Sequence, residues 1–137
     1  EFNHYKVSTS RKNVLRGIHG DFKSFKLITC LFGQLFFILV DNRKDSKTYG
    51  KVFTILLSEK NKKQIWIPAG YAHGFLSLDD DTILFYKCTE YWSKIGEGCI
   101  CPIDPHINLD VDLSNIIISS KDRNAQSLLE YGKNPCF

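Results

Sequence analysis

Gln34-Leu35-Phe36-Phe37-Ile38-Leu39-Val40-Asp41 decides the fold class of this chain. The run from Leu35 to Val40 is apolar throughout, rich in aromatic and branched residues, and far shorter than the ~20 residues needed to cross a bilayer. Gly33 before it permits a tight reversal, and after it Asp41 to Gly50 reads as a polar ten-residue loop. A short apolar run bounded by turn signals on both sides predicts a buried strand. Similar segments recur outward in both directions: Val14 to His19, Phe25 to Phe32, Lys51 to Leu57, Gln64 to Pro68, Gly74 to Leu78 and Thr82 to Thr89. Asp79, Asp80 and Asp81 form an acidic hairpin tip between the last two. Seven or eight short strands in one domain spanning 1–137 predict an all-β sandwich or jelly roll. The one helical expectation covers Ser120 to Tyr131, with Ser119 or Ser120 as N-cap and Ala125, Leu128 and Leu129 as its apolar stripe.

Composition narrows the class of function. Eighteen Lys and Arg against fifteen Asp and Glu leave a charge of +3, too weak a bias for a dedicated nucleic-acid binder. With 43% hydrophobic and 24% charged residues the chain reads as a soluble globular domain, expected in the cytoplasm and off the membrane. The five cysteines, Cys30, Cys88, Cys99, Cys101 and Cys136, are odd in number and match no zinc spacing, so reduced thiols are expected. Cys99 and Cys101 would share a face of an extended segment, but no second pair completes a metal site there.

Two histidines stand in notable settings. Pro68, Gly70 and His73 give a P-x-G-x2-H pattern after a strand, similar to the second motif of cupins; His19 follows Arg16-Gly17-Ile18. A metal-binding cupin also needs an H-x-H pair with a downstream Glu, and the residues around His19 offer a single imidazole, so no metal is expected. A histidine in the mouth of a metal-free barrel is suited to accept a proton. Lys26 has the chemistry to stabilise an enolate oxygen, and Tyr86 the chemistry to return a proton. Strict alternation along Thr82-Ile83-Leu84-Phe85-Tyr86-Lys87-Cys88 groups Thr82, Leu84, Tyr86 and Cys88 on one face. Residue by residue, plainer readings stay open: a backbone-bonded loop histidine, a solvated lysine, a core tyrosine.

Several ordered blocks bear on the choice. Val14-Leu15-Arg16-Gly17-Ile18-His19, Lys26-Leu27, Val40-Asp41-Asn42-Arg43-Lys44-Asp45-Ser46, Thr48-Tyr49-Gly50, Leu57-Ser58-Glu59-Lys60-Asn61-Lys62, Gln64-Ile65-Trp66-Ile67-Pro68, Gly70-Tyr71-Ala72-His73-Gly74-Phe75 and Phe85-Tyr86-Lys87 together resemble the dTDP-4-dehydrorhamnose 3,5-epimerases. The resemblance implies a cupin-like double-stranded jelly roll, a homodimer, no cofactor, and a nucleotide-linked 4-keto-6-deoxyhexose as substrate. It implies a catalytic base at His19, in the position of the family's R-G-[LI]-H motif. Asp122 falls in a segment similar to the family's L-S-x-x-D and would pair with that base; Lys26 would lie near the C4 keto oxygen, and Tyr86 would donate a proton from the opposite face. Arg16, His73 and Tyr91 fall at substrate-binding positions. The implied end use is activated deoxysugars for surface glycans, including lipopolysaccharide.

The chain also departs from the pattern. The family's N-terminal R-D-x-R-G-x-F segment does not precede the R-G-I-H block, the connection from His19 to Lys26 is shorter, and Phe37 stands where the rhamnose enzymes typically have Asp. These departures keep other readings open: an epimerase or 3,4-ketoisomerase on another nucleotide sugar such as a GDP-heptose, a non-catalytic sugar-nucleotide-binding cupin, or a metal-dependent cupin oxygenase.

Overall fold

The computed structural model of the chain describes residues 1–91 and 97–135. Among these, the strands are β1 (His4–Ser10), β2 (Val14–Asp21), β3 (Lys26–Phe32), β4 (Gln34–Asp41), β5 (Val52–Ser58), β6 (Gln64–Ile67), β7 (Tyr71–Ser77), β8 (Thr82–Cys88), β9 (Glu97–Cys99) and β10 (Ile117–Ile118). Two short helices follow, α1 (Ser120–Arg123) and α2 (Leu128–Lys133). The seven expected strands appear as β2 to β8; β1, β9 and β10 lie outside the segments read as strands.

Two sheets face one another, a small one in the order β1-β8-β3-β6 and a large one in the order β10-β2-β7-β4-β5, with β9 also paired to β2. The chain passes back and forth between them as a jelly roll. The unbroken apolar run of β4 has a direct cause, because the large sheet is buried on both faces. Leu35 and Phe37 face the other sheet, packing with Ile28, Cys30, Leu57, Ile67, Phe75 and Leu84. Ile38 and Val40 pack on the outer side with Leu15, Ile18, Ala72 and Leu76, beneath Ile100, Ile107 and Tyr131 from the C-terminal third.

The interior changes character along its length. On β8 the inward series runs from Thr82 and Leu84 to Tyr86 and Cys88; on β3 it runs back from Cys30 and Ile28 to Lys26. On β7, Phe75 is followed inward by His73 toward the same end. One end of the roll is therefore a packed apolar core and the other a polar-lined cavity.

The loop after β4 is ordered by a buried carboxylate. Asp41 accepts from Arg43 Nε and Nη2, both at 2.9 Å, and from the hydroxyls of Ser46 and Thr48. Arg43 lies over the Tyr71 ring, 4.7 Å from its centroid. Burial would raise the Asp41 carboxyl, but the hydrogen bonds from Arg43, Thr48 and Ser46 outweigh it and hold the group well below the usual carboxylate range.

The single helix expected over Ser120 to Tyr131 is two. Ser127 caps α2 in a full capping box with Glu130, and Gln126 bridges to Ile100, so the chain leaves helical geometry after Asn124. Leu129, assigned to the apolar stripe, is 60% exposed, and Tyr131 is the fully buried residue of α2 instead. Cys30, Cys88, Cys99 and Cys101 are free thiols, as expected; Cys136 lies outside the described residues. Among the described residues no helix is long and apolar enough to cross a membrane.

Candidate active site

The polar end of the roll encloses a cavity of about 630 Å³. Its walls come from both sheets. The large sheet contributes Arg16, His19 and His73, and the small sheet contributes Lys6, Lys26 and Tyr86.

Arg16 and His19 both line the cavity although they are three residues apart, a spacing that puts side chains on opposite faces of a regular strand. The cause is a bulge. Arg16 pairs with Phe75 and His19 with His73, so three steps along β2 match two along β7, and the extra residue turns His19 back inward while Ile18 enters the outer core. Gly17 makes this possible: its φ is +99°, and a Cβ there would meet the His73 carbonyl oxygen at 2.7 Å and Gly74 Cα at 2.8 Å. The glycine of Arg16-Gly17-Ile18-His19 is thus the device that aims the histidine.

Asp122 reaches His19 through the C-terminal segment. β10 pairs in parallel with β2, Ile117 beside Val14 and Ile118 beside Leu15, which delivers the following turn to the bulge. Ser119 caps α1, its Oγ accepting from the Asp122 N–H at 3.1 Å. The buried Asp122 carboxylate then divides its oxygens: Oδ1 lies 2.6 Å from His19 Nε2, and Oδ2 accepts from the Gly17 N–H at 3.2 Å. A carboxylate on one ring nitrogen fixes the tautomer and leaves Nδ1 as the nitrogen equipped to take a proton.

The opposite wall has complementary chemistry. Burial raises the Tyr86 phenol above its ordinary range, against the opposing pull of the Ser8 side chain and the Arg16 charge, so Tyr86 keeps its proton. His73 is the reverse case. Burial, the nearby Lys26 and then His19 push its imidazolium pKa down to about 3, so it is neutral near pH 7. Its ring stacks on Phe37, the centroids 6.0 Å apart at 15°. Lys6, Arg16 and Lys26 bring positive charge to the cavity, whose lining also includes Asp21 and Glu90.

Of the residues expected from sequence, His19, Tyr86, Lys26, Arg16 and His73 line one cavity, and Asp122 stands against His19. Tyr91 is outside the lining and 69% exposed, its ring centroid 5.5 Å from that of His4. β1 supplies lining that the sequence reading missed: His4, Lys6 and Ser8. The available signal was an inverted alternation, with polar residues at every second position facing in and Tyr5 and Val7, 58% and 60% exposed, facing out.

Comparisons with known proteins identify the family. The family model described as dTDP-4-dehydrorhamnose 3,5-epimerase matches residues 1–130. The dTDP-4-dehydrorhamnose 3,5-epimerase of Shigella flexneri is 40% identical over 133 residues, covering 95% of this chain and 74% of the relative. Among solved structures, the dTDP-6-deoxy-D-glucose-3,5-epimerase of Legionella pneumophila, in complex with dTDP-4-keto-L-rhamnose, superposes with a TM-score of 0.88 at 38% identity, covering 94% of this chain and 70% of that one. The RmlC epimerase of Mycobacterium tuberculosis gives a TM-score of 0.92 at 30% identity, covering 99% and 71%. On sequence and fold alike, the chain belongs to the dTDP-4-dehydrorhamnose 3,5-epimerase family of isomerases.

Proposed function

We propose that this chain inverts C3, C5 or both in a dTDP-4-keto-6-deoxyhexose by proton removal and return through an enolate. The observation that carries the reading is the 2.6 Å pairing of His19 with Asp122 on one wall of a cavity whose other wall holds Tyr86 and Lys26. The C4 ketone acidifies the neighbouring C–H bonds. His19 takes a proton at Nδ1, with the imidazolium stabilised by Asp122, and Lys26 balances the charge that develops on the keto oxygen. Tyr86 returns a proton from the facing sheet, which inverts the centre; His19 then releases its proton to solvent and Tyr86 regains one from it. Arg16 suits the diphosphate, and neutral His73 offers a hydrogen bond to the sugar. The chemistry moves protons only. The reaction belongs in the cytoplasm, where it supplies activated deoxysugars for surface glycans.

The test is incubation with dTDP-4-keto-6-deoxyglucose in deuterated water, following each ring carbon by proton NMR. Deuterium at C3, C5 or both is expected, and the pattern identifies which carbons are inverted. His19→Asn should abolish this exchange with the fold retained by circular dichroism; exchange at the wild-type rate in that variant would refute the assignment.

We also propose a homodimer built on the outer face of the small sheet. That face carries Tyr5, Val7, Leu31 and Trp66, each more than half exposed, and Tyr5 stacks on Phe85 at 6.3 Å. Apolar surface of this extent on one sheet is characteristic of an interface. Sedimentation should give twice the chain mass at micromolar concentration, and Trp66→Lys should shift it toward monomer; a wild-type monomer under those conditions would remove the proposal.

A further inference from the structure

Cys99 and Cys101 share a strand face by sequence, yet the fold sends their thiols to different partners. Cys101 Sγ donates to the Arg123 carbonyl at 3.4 Å. Cys99 is the register partner of His19 across β2 and β9, and its Sγ lies 4.0 Å from Asp122 Oδ1. One donor atom each from His19, Cys99 and Asp122 therefore gathers in one place, all within 4.8 Å of one another. The three arrive from separate regions of the chain, on β2, on β9 and on α1.

This donor set suits a borderline-soft divalent cation. Tetrahedral zinc, with bonds of about 2.0 Å to nitrogen and oxygen and about 2.3 Å to sulfur, needs donor separations near 3.3–3.6 Å. The separations here bracket that range, 2.6 Å from nitrogen to oxygen and 4.0 Å from sulfur to oxygen. Every separation lies within 4.8 Å, so accommodation needs shifts of about 1 Å, an opening of the His19–Asp122 pair and an approach of the thiol. Asp122 is already held in place by Ser119 Oγ at its N–H and by the Gly17 N–H at Oδ2, which leaves Oδ1 to ligate. Imidazole, thiolate and carboxylate together favour zinc or cadmium over magnesium or calcium.

We propose that His19, Cys99 and Asp122 form an inhibitory site for a thiophilic divalent cation, with zinc the representative ion. On binding, the metal forms a bond to His19 Nε2 and the Nε2–H bond breaks; that proton reappears on Nδ1 through a change of tautomer. The Cys99 S–H proton passes to solvent, so one proton is released per ion, and two anionic ligands neutralise the cation. The nitrogen required to accept the substrate's proton is then occupied. Ion binding stands on the three donors alone, whereas inhibition rests on the epimerase reading above.

The experiment keeps the two separable. Cobalt(II) titration of the full chain reads binding without turnover, and a thiolate-to-cobalt charge-transfer band with tetrahedral d–d bands is expected in the wild type and in Cys101→Ser. Cys99→Ser should lack the charge-transfer band. In the exchange assay, zinc should inhibit the wild type and Cys101→Ser reversibly, with activity restored by EDTA. Cys99→Ser should keep its basal rate and lose sensitivity by at least the roughly 10–100-fold that loss of an outer-shell partner costs a metal site. A cobalt spectrum without the charge-transfer band in the wild type, or equal zinc sensitivity in Cys99→Ser, would overturn the proposal.

Discussion

At the scale of single residues, the cavity sets a buried phenol on one wall against a carboxylate-bonded imidazole on the other. Tyr86 is kept protonated by burial, and the His19 tautomer is set by Asp122. Under the proposed function, Tyr86→Phe preserves the packing and removes only the hydroxyl that would return the proton. Net epimerisation should fall by about 10²-fold or more, the usual worth of a positioned acid, while solvent deuterium exchange on the His19 side outlasts it. Equal loss of both activities would remove Tyr86 from that role. The two residues were unequally legible in the sequence. Tyr86 obeys strict strand parity, so its inward face follows from Leu84 and Cys88. His19 does not, because parity from Arg16 points it outward and only the bulge at Gly17-Ile18 corrects this. A bulge depends on the length of the partner strand, which local sequence does not state.

At the scale of elements, β2 to β8 could be read because each is rich in apolar residues with turn residues at its ends, whereas the seven-residue but largely polar β1 could not. β10 and β9, two and three residues long, were not, since pairing to β2 defines them more than their own composition does. Yet β10 and the four-residue α1 carry the carboxylate to the histidine. A helix this short has no intrinsic stability, so its geometry depends on the Ser119 cap and the β10 pairing. Ser119→Ala should cost about 1 kcal/mol of stability. If half-freed Asp122 passes a similar amount to the barrier, kcat falls by roughly fivefold with KM little changed. Ser119→Thr should restore most of the rate. A proportionate rise in KM at constant kcat would show that Ser119 serves substrate binding rather than the placement of Asp122. The break between α1 and α2 was also missed, because Ser127 and Glu130 read equally well as polar residues of one longer helix until the bridge from Gln126 to Ile100 is known.

At the scale of the whole molecule, building a polar cavity into one end of the roll ties its stability to pH. His73 has a pKa of about 3 when folded, against about 6.5 in an unfolded chain. Between those values the unfolded state binds a proton that the folded state refuses, so stability falls as the pH drops below about 6.5. From pH 7 to 5 the loss from this one group is at most about 2 kcal/mol. Asp41 acts in a lower window. Its depressed carboxyl contributes stability above about pH 4, which is lost on further acidification and leaves the pH 5 to 7 range untouched. The two can therefore be separated by urea midpoints. His73→Asn should flatten the fall in stability between pH 7 and 5, and Asp41→Asn should lower stability at both pH values while keeping the wild-type slope there. If His73→Asn keeps the wild-type fall, the acid sensitivity resides elsewhere, and the claim that the cavity holds this imidazole neutral is wrong.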